Sequence, residues 1–302
     1  MKRLFAGIGV LFLSFNLTAN ELDTFDLKTY HPENFGLTDL SCEVRIDNLL
    51  QQLNQLSIFG KLTDVYYKIY WTKDRGFALT IEGISDAFSV HKENLKELII
   101  HRLEFIIPRS VAALAEGLTL STSRDKGDMI ITATDPLGKK DPNKIVFTLG
   151  PDNNLKKVKI YSTKFVSETE YHYGPVDGSM NKVVLLSSKA DIQTIGINPQ
   201  RHFVETQIKY QLVGQIVVPQ EVRIKTALID PKYTFQTPAA VALGSGPKTA
   251  VENVITFSNY TANQRVAASF YQAFDNAQFA TPVTASKLDA SAASPAKKKA
   301  KK

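Results

Sequence analysis

Residues 64–82 read DVYYKIYWTKDRGFALTIE, and the two-residue alternation in this stretch decides the fold class. Val65, Tyr67, Ile69 and Trp71 fall on one face of an extended strand, with Tyr66, Lys68, Tyr70 and Thr72 on the other. Phe77, Leu79 and Ile81 repeat the pattern against Thr80 and Glu82. Between the two runs, TKDRG supplies a charged, glycine-ended turn of hairpin length, which predicts antiparallel neighbours.

Working outward, short strands are predicted at 118–123, 129–134, 145–149, 158–165, 168–173 and 183–187, punctuated by Asp135-Pro136, Gly138, Gly150-Pro151-Asp152 and Asp177-Gly178. The longest alternation runs through Ile208, Tyr210, Leu212, Gly214, Ile216 and Val218, with Gly214 expected at a bend. Pro219 lacks a ladder donor, so its strand should be an edge or carry a bulge. Val222 and Ile224 resume the apolar face, and a last strand is expected at 254–260. Helical spacing marks two longer segments, 47–59 and 92–107, with Pro108 ending the second and a short turn at 111–115. About ten antiparallel strands with two or three early helices predict an α+β fold: a curved sheet with helices over one face.

The first twenty residues, MKRLFAGIGVLFLSFNLTAN, have the form of an export signal, with Lys2 and Arg3 ahead of an apolar core from Leu4 to Phe15. That core falls short of the roughly 20 residues that span a bilayer. Cleavage is placed after Ala19, which makes the working protein periplasmic or secreted. Residues 20–280 then form a single β-rich domain, and 281–302, rich in Ala, Ser and Lys, form a tail unable to bury a core. The single cysteine, Cys42, excludes an intramolecular disulfide and reads as a small strand residue.

The basic pI of 9.1 comes from the chain ends. Lys2, Arg3 and five lysines from Lys297 to Lys302 account for seven of 36 basic residues, leaving 29 against 30 acidic ones. This distribution argues against a nucleic-acid-binding face. The lysine tail would instead meet anionic envelope surfaces, or serve only for solubility.

No catalytic constellation emerges, and the chain is read as a non-enzyme. The five histidines, at 31, 91, 101, 172 and 202, form no zinc motif. Glu168, Glu170 and His172 share one strand face, but Lys156, Lys157, Lys159 and Lys164 precede them, so charge pairing across strands explains the carboxylates better than a cation site. Gly244-Ser245-Gly246 lacks the spacing of a nucleophile elbow, and Pro247 interrupts the phosphate-loop-like stretch Gly246 to Thr249. No cofactor or metal is implied, and a hydrolase with an unrecognised site stands as a third reading.

The early helix, the run of hairpins, the proline-led strand IVVPQEVRI and the closing strand FSNYTANQRVAASF give the chain, from about Leu40 to Phe274, a pattern that resembles the periplasmic lipoprotein-sorting proteins of the LolA/LolB type. The resemblance implies an incomplete β-barrel whose concave face, lidded by helices, accepts lipid or the acyl chains of lipoproteins. Such an inner face must be covered by helices or by a hydrophobic guest. The expected lining is Val65, Tyr67, Ile69, Trp71, Phe77, Leu79, Ile81, Ile208, Tyr210 and Leu212, with Leu95, Ile99 and Leu103 as the lid. The competing expectation is that all thirteen pack a dry core in an envelope interaction module that contacts partners through loops or the basic tail.

Overall fold

A computed structural model describes residues 17–56, 58–197, 199–229 and 250–280. The first sixteen residues of the expected signal, the glycine-rich loop at 244–249 and the tail at 281–302 lie outside the described residues. The described chain forms one open antiparallel sheet of twelve strands and five α-helices. In chain order these are α1 (Leu17–Lys28), β1 (Asp39–Ile46), α2 (Leu49–Leu56), β2 (Tyr66–Thr72), β3 (Gly76–Glu82), α3 (Ser89–Ile100), α4 (Val111–Leu114), β4 (Thr119–Asp125), β5 (Asp128–Thr134), β6 (Lys144–Leu149), β7 (Leu155–Tyr161), β8 (Phe165–Gly174), β9 (Val184–Thr194), β10 (Arg201–Val213), β11 (Ile216–Ile229), β12 (Ala250–Ala262) and α5 (Val266–Ala280). Three short 3-10 turns complete the inventory, one of them at Leu103–Phe105.

The strand order is β3-β2-β1-β12-β11-β10-β9-β8-β7-β6-β5-β4. The expected hairpin forms, with Tyr67 opposite Ile81 and Trp71 opposite Phe77. The expected count of about ten strands is exceeded because β1 lacked a recognised alternation. Its Leu40, Cys42 and Val44 are buried while Asp39 and Ser41 on the other side are buried too, so no wet face marks it. Helices exceed two or three because α1 overlaps the end of the expected signal and α5 carries apolar residues nearly all round.

Gly214 sits in the two-residue turn of the β10–β11 hairpin with φ +64, a backbone conformation open to glycine. Pro219 lies on an internal strand and carries the bulge: Lys209 pairs with Glu221 and Tyr210 with Pro219, leaving Gln220 unpaired. The carbonyl of Pro219 accepts a hydrogen bond from the Tyr260 hydroxyl at 2.8 Å.

Cross-strand partners share a face, so the register traces one face from edge to edge. Ile81, Tyr67, Val44 and Phe257 form one row. Ile255, Val222 and Ile208 continue it, and Thr169, Val158, Phe147 and Ile131 carry it to β5. Two large clusters cover this face, with a small third one of Tyr30, Val184 and Val217. Leu49 and Leu53 of α2 and Ile99 of α3 pack over β1, β2, β3, β11 and β12. Leu22 and Phe25 of α1 and Val111 of α4 pack over β5, β6 and β7. On the opposite face, α5 stacks Phe270 on Tyr70 with ring centroids 4.0 Å apart, and its Ala268 N–H donates to Asp39 at 2.7 Å.

The edges β3 and β4 are consecutive in the chain, so the 36 residues between Glu82 and Thr119 run from one edge to the other over the apolar face. Gly83 begins this crossing. Its φ is +85, and a Cβ there would lie 1.8 Å from the carbonyl oxygen of Asp64. Gly127, in the β4–β5 turn, has φ +91 but open space around it. Gly83→Ala is therefore expected to destabilise the fold by about 2–4 kcal/mol, and Gly127→Ala by only about 1 kcal/mol. Urea unfolding of the two variants measures the difference, and equal losses would contradict the close approach at Gly83.

Candidate functional site

Between the two clusters the apolar face is left incompletely filled, and a cavity of about 190 Å³ lies there. This is an order of magnitude more space than one water needs. Its floor is built by β7, β8, β9 and β10 through Leu155, Val158, Tyr171, Tyr173, Val184, Leu185 and Tyr210. Its roof is built by Phe25 of α1 and Thr29 just past its end, by the crossing segment from Glu104 to Arg109, and by Val111 and Leu114 of α4. Glu104, Arg109 and Leu114 are the solvent-exposed members and mark the mouth. A second cavity of about 370 Å³ adjoins across the same segment, so that Glu104, Pro108 and Arg109 line both.

The roof is held by specific bonds. Asp26 of α1 receives the backbone N–H groups of Val111 at 2.8 Å and Ala112 at 2.9 Å and the Ser110 hydroxyl at 2.5 Å, tying α1 to the start of α4. Past the end of α1, the Tyr30 N–H donates to the Val183 carbonyl at 2.9 Å, and the Tyr30 hydroxyl accepts from the Val217 N–H at 3.0 Å. Phe25 meets Tyr173 edge-on at 5.1 Å. On the other side, the Tyr67 hydroxyl donates to the Leu95 carbonyl at 3.0 Å and fastens α3 to β2.

Most of the polar lining is committed within the protein. The Tyr210 hydroxyl donates to the Leu185 carbonyl at 2.9 Å, and the Thr29 hydroxyl donates to the Phe25 carbonyl at 3.2 Å. Burial pushes the Tyr30, Tyr171, Tyr173 and Tyr210 hydroxyls above the ordinary tyrosine range. The nearby Glu104 carboxylate raises Tyr171 and Tyr173 further. Burial also pushes the Glu104 carboxyl upward, against the pull of Arg109, Arg102 and His101. Although Glu104 reaches solvent, the cavity walls crowd its carboxyl, which accounts for the direction.

The thirteen residues expected to line a site are distributed as follows. Val65, Tyr67, Ile69, Trp71, Ile81, Ile99, Leu103 and Ile208 are buried in the cluster under α2 and α3, with Phe77, Leu79 and Leu95 packed against it. Phe77 and Leu103 also line the second cavity. Tyr210 lines the first, and Leu212 lies exposed beyond it. Tyr171 and Tyr173 lie on the face of β8 opposite Glu168, Glu170 and His172, and the alternation of the strand expected at 168–173 is the signal that places them there.

Those charges pair as expected. Lys157 reaches Glu168 at 2.6 Å and Glu170 at 3.2 Å, and Lys159 reaches Glu168 at 3.4 Å. Among the described residues no three His, Cys, Asp or Glu side chains gather in a metal-binding arrangement. Cys42 is buried, and burial pushes its thiol far above the ordinary range. The chain matches no known protein family, no curated protein and no solved structure.

Raised tyrosine pKa values fix the sign of an alkaline effect. The unfolded chain ionises its tyrosines near pH 10, where the folded chain keeps these neutral. The stabilisation is therefore complete below about pH 10 and is lost as pH rises from there toward the folded-state values. Urea midpoints should decline on that limb, and Tyr173→Phe should flatten the decline. A limb unchanged in both Tyr173→Phe and Tyr210→Phe would contradict the desolvation of the cavity floor.

Proposed function

We propose that the protein is an exported, non-enzymatic carrier that holds lipid or the acyl chains of lipoproteins between its sheet and the crossing segment. In this reading the sheet curves as an incomplete barrel, and α1, α3 and α4 lid its concave side. The supporting observation is the cavity itself, apolar in most of its lining and open at Glu104, Arg109 and Leu114. The adjoining second cavity extends the space available to a long chain. About six buried methylenes, at about 0.8 kcal/mol each, would contribute about 5 kcal/mol. That corresponds to a dissociation constant of roughly 0.2 mM before any headgroup contact.

The location outside the cytoplasm rests on the leader read from residues 1–19. Among the described residues no helix is long and apolar enough to cross a membrane. A second reading, the interaction module with a filled core, draws on the cluster under α2 and α3, where eight of the expected lining residues are buried against one another.

Organic extraction of natively purified protein with mass spectrometry, and titration with a fluorescent fatty-acid analogue, test the carrier reading. The expected result is recovered acyl material and saturable uptake. Leu185→Trp, which adds volume at the cavity floor, should weaken uptake about tenfold or more while the far-ultraviolet circular dichroism stays unchanged. Absence of both extracted lipid and uptake would favour the filled-core module.

A further inference from the structure

Resting on the carrier reading, the walls of the cavity set how long a guest it admits. Among the described residues, Tyr210 is the one side chain that lines both this cavity and a neighbouring open groove, whose other walls are Val176, Asp177, Gln211 and Leu212. The groove lies over the end of β10, beside the connection from β8 to β9, and Leu212 stands exposed in it.

Tyr210 divides the two spaces because the sheet parts at this point. Pairing of β10 with β9 runs from Arg201 opposite Gln193 to Gln207 opposite Ser187 and ends there, although β9 stays paired with β8 back to Val184. Beyond Gln207, β10 pairs with β11 alone. The Tyr210 side chain spans the gap in place of a ladder, its hydroxyl donating to the Leu185 carbonyl at 2.9 Å. With only two side-chain torsions, a tyrosine bonded at its tip is held as a fixed plate. Strand order sets this plate away from the mouth. Leu114 belongs to α4, which packs over β5, β6 and β7, and β10 lies three strands beyond β7, about 14 Å at the usual spacing.

We propose that Tyr210 is the end wall of the cavity and the residue that sets guest length: a straight acyl chain enters methyl end first, stops against the Tyr210 ring and leaves its head in water at the mouth. Methyl-first entry follows from the lining, because Asp26, Thr29, Tyr30 and Tyr210 are already hydrogen-bonded within the protein and a polar head carried inside would lose its water for little return. Glu104 and Arg109 bring opposite charges to the mouth, so the cavity selects by length rather than by the sign of the head. A chain long enough to reach the second cavity as well still ends at this wall, so Tyr210 limits the guest whichever space takes its other end.

The test is a series of straight-chain fatty acids from hexanoic to eicosanoic, each displacing a fluorescent fatty-acid analogue from the full chain. Affinity should rise by up to about fourfold with each added methylene and then level off. Tyr210→Ala opens the wall into the groove and should move that limit up by about two carbons or more, a gain of about tenfold for the longest acids. Adding Leu212→Glu places a charge in the opened path and should cancel the gain, with far-ultraviolet circular dichroism showing that the variants fold. Octanoic acid carrying 13C in its terminal methyl addresses the native protein directly: nuclear Overhauser contacts to the Tyr210 ring protons are expected, with none to Leu212. Affinity that climbs through the whole series, a limit unmoved in folded Tyr210→Ala, a gain that survives Leu212→Glu, or terminal-methyl contacts to Leu212 in place of Tyr210 overturns the end wall and leaves the carrier reading standing. Should Tyr210→Ala not fold, the labelled methyl decides alone. Failure of every acid to bind removes the carrier reading and this inference with it.

Discussion

The two edge strands, β3 and β4, follow one another in the chain yet stand at opposite ends of a twelve-stranded sheet. Eleven spacings of about 4.8 Å would separate the edges of a flat sheet by about 53 Å. The 36 residues joining them must make that journey over one face, and backbone that crosses an apolar face has to bury what it passes. α3 therefore settles beside β3 and α4 beside α1, each placed by its distance from an end of the crossing. The middle, from His101 to Ser110, has no α-helix, and Pro108 prevents one from continuing through it. The cavity lies under that middle because irregular backbone presents fewer apolar side chains to the sheet than a helix does.

The opposite face of the sheet obeys a different constraint. From β7 to β12 it carries a ladder of paired charges, with Lys189 near Glu205, Lys209 and Arg223 on Glu221, and Arg223 near Glu252. Each exposed pair adds little to stability, but together they keep the face wet and pin the register that holds the other face apolar. Among the described residues, α5 covers this outer face at β1, β2 and the start of β3, bringing Phe270 and Tyr271 against Tyr70 and the Gly76 carbonyl. Asp39 and Ser41 are buried there, which explains why β1 does not alternate in polarity.

Elements with one wet and one dry side were legible in the sequence. The β2–β3 hairpin, the Pro219 bulge and the lysine–glutamate pairing of β7 and β8 all follow from alternation or from a missing donor. What could not be read from periodicity was the order of the strands, because the pairing of β1 with β12 joins residues more than two hundred positions apart. Without that order, the crossing segment could not be assigned its path, and nothing in the sequence marked Glu104 and Arg109 as neighbours of a cavity. The expected lining followed the strongest alternation, in β2 and β3, where α2 and α3 supply enough side chains to pack the face. Of the expected lining, Tyr210 borders the first cavity and Phe77 and Leu103 the second, while the rest of the first cavity's floor lies over β7 to β9, whose mixture of Ser, Thr, Tyr and Val shows a weaker apolar pattern.

The central claim is that an acyl chain occupies the space beneath the crossing segment, over β7 to β10, rather than the packed region beneath α2 and α3. Intermolecular nuclear Overhauser effects between a 13C-labelled fatty acid and methyl-labelled protein test it most directly. The account predicts contacts from the chain to the methyl groups of Val158, Val184 and Leu185, with none to Ile69 or Val222. Contacts confined to Ile69, Val222 and their neighbours, or no intermolecular contacts at saturating fatty acid, would contradict it.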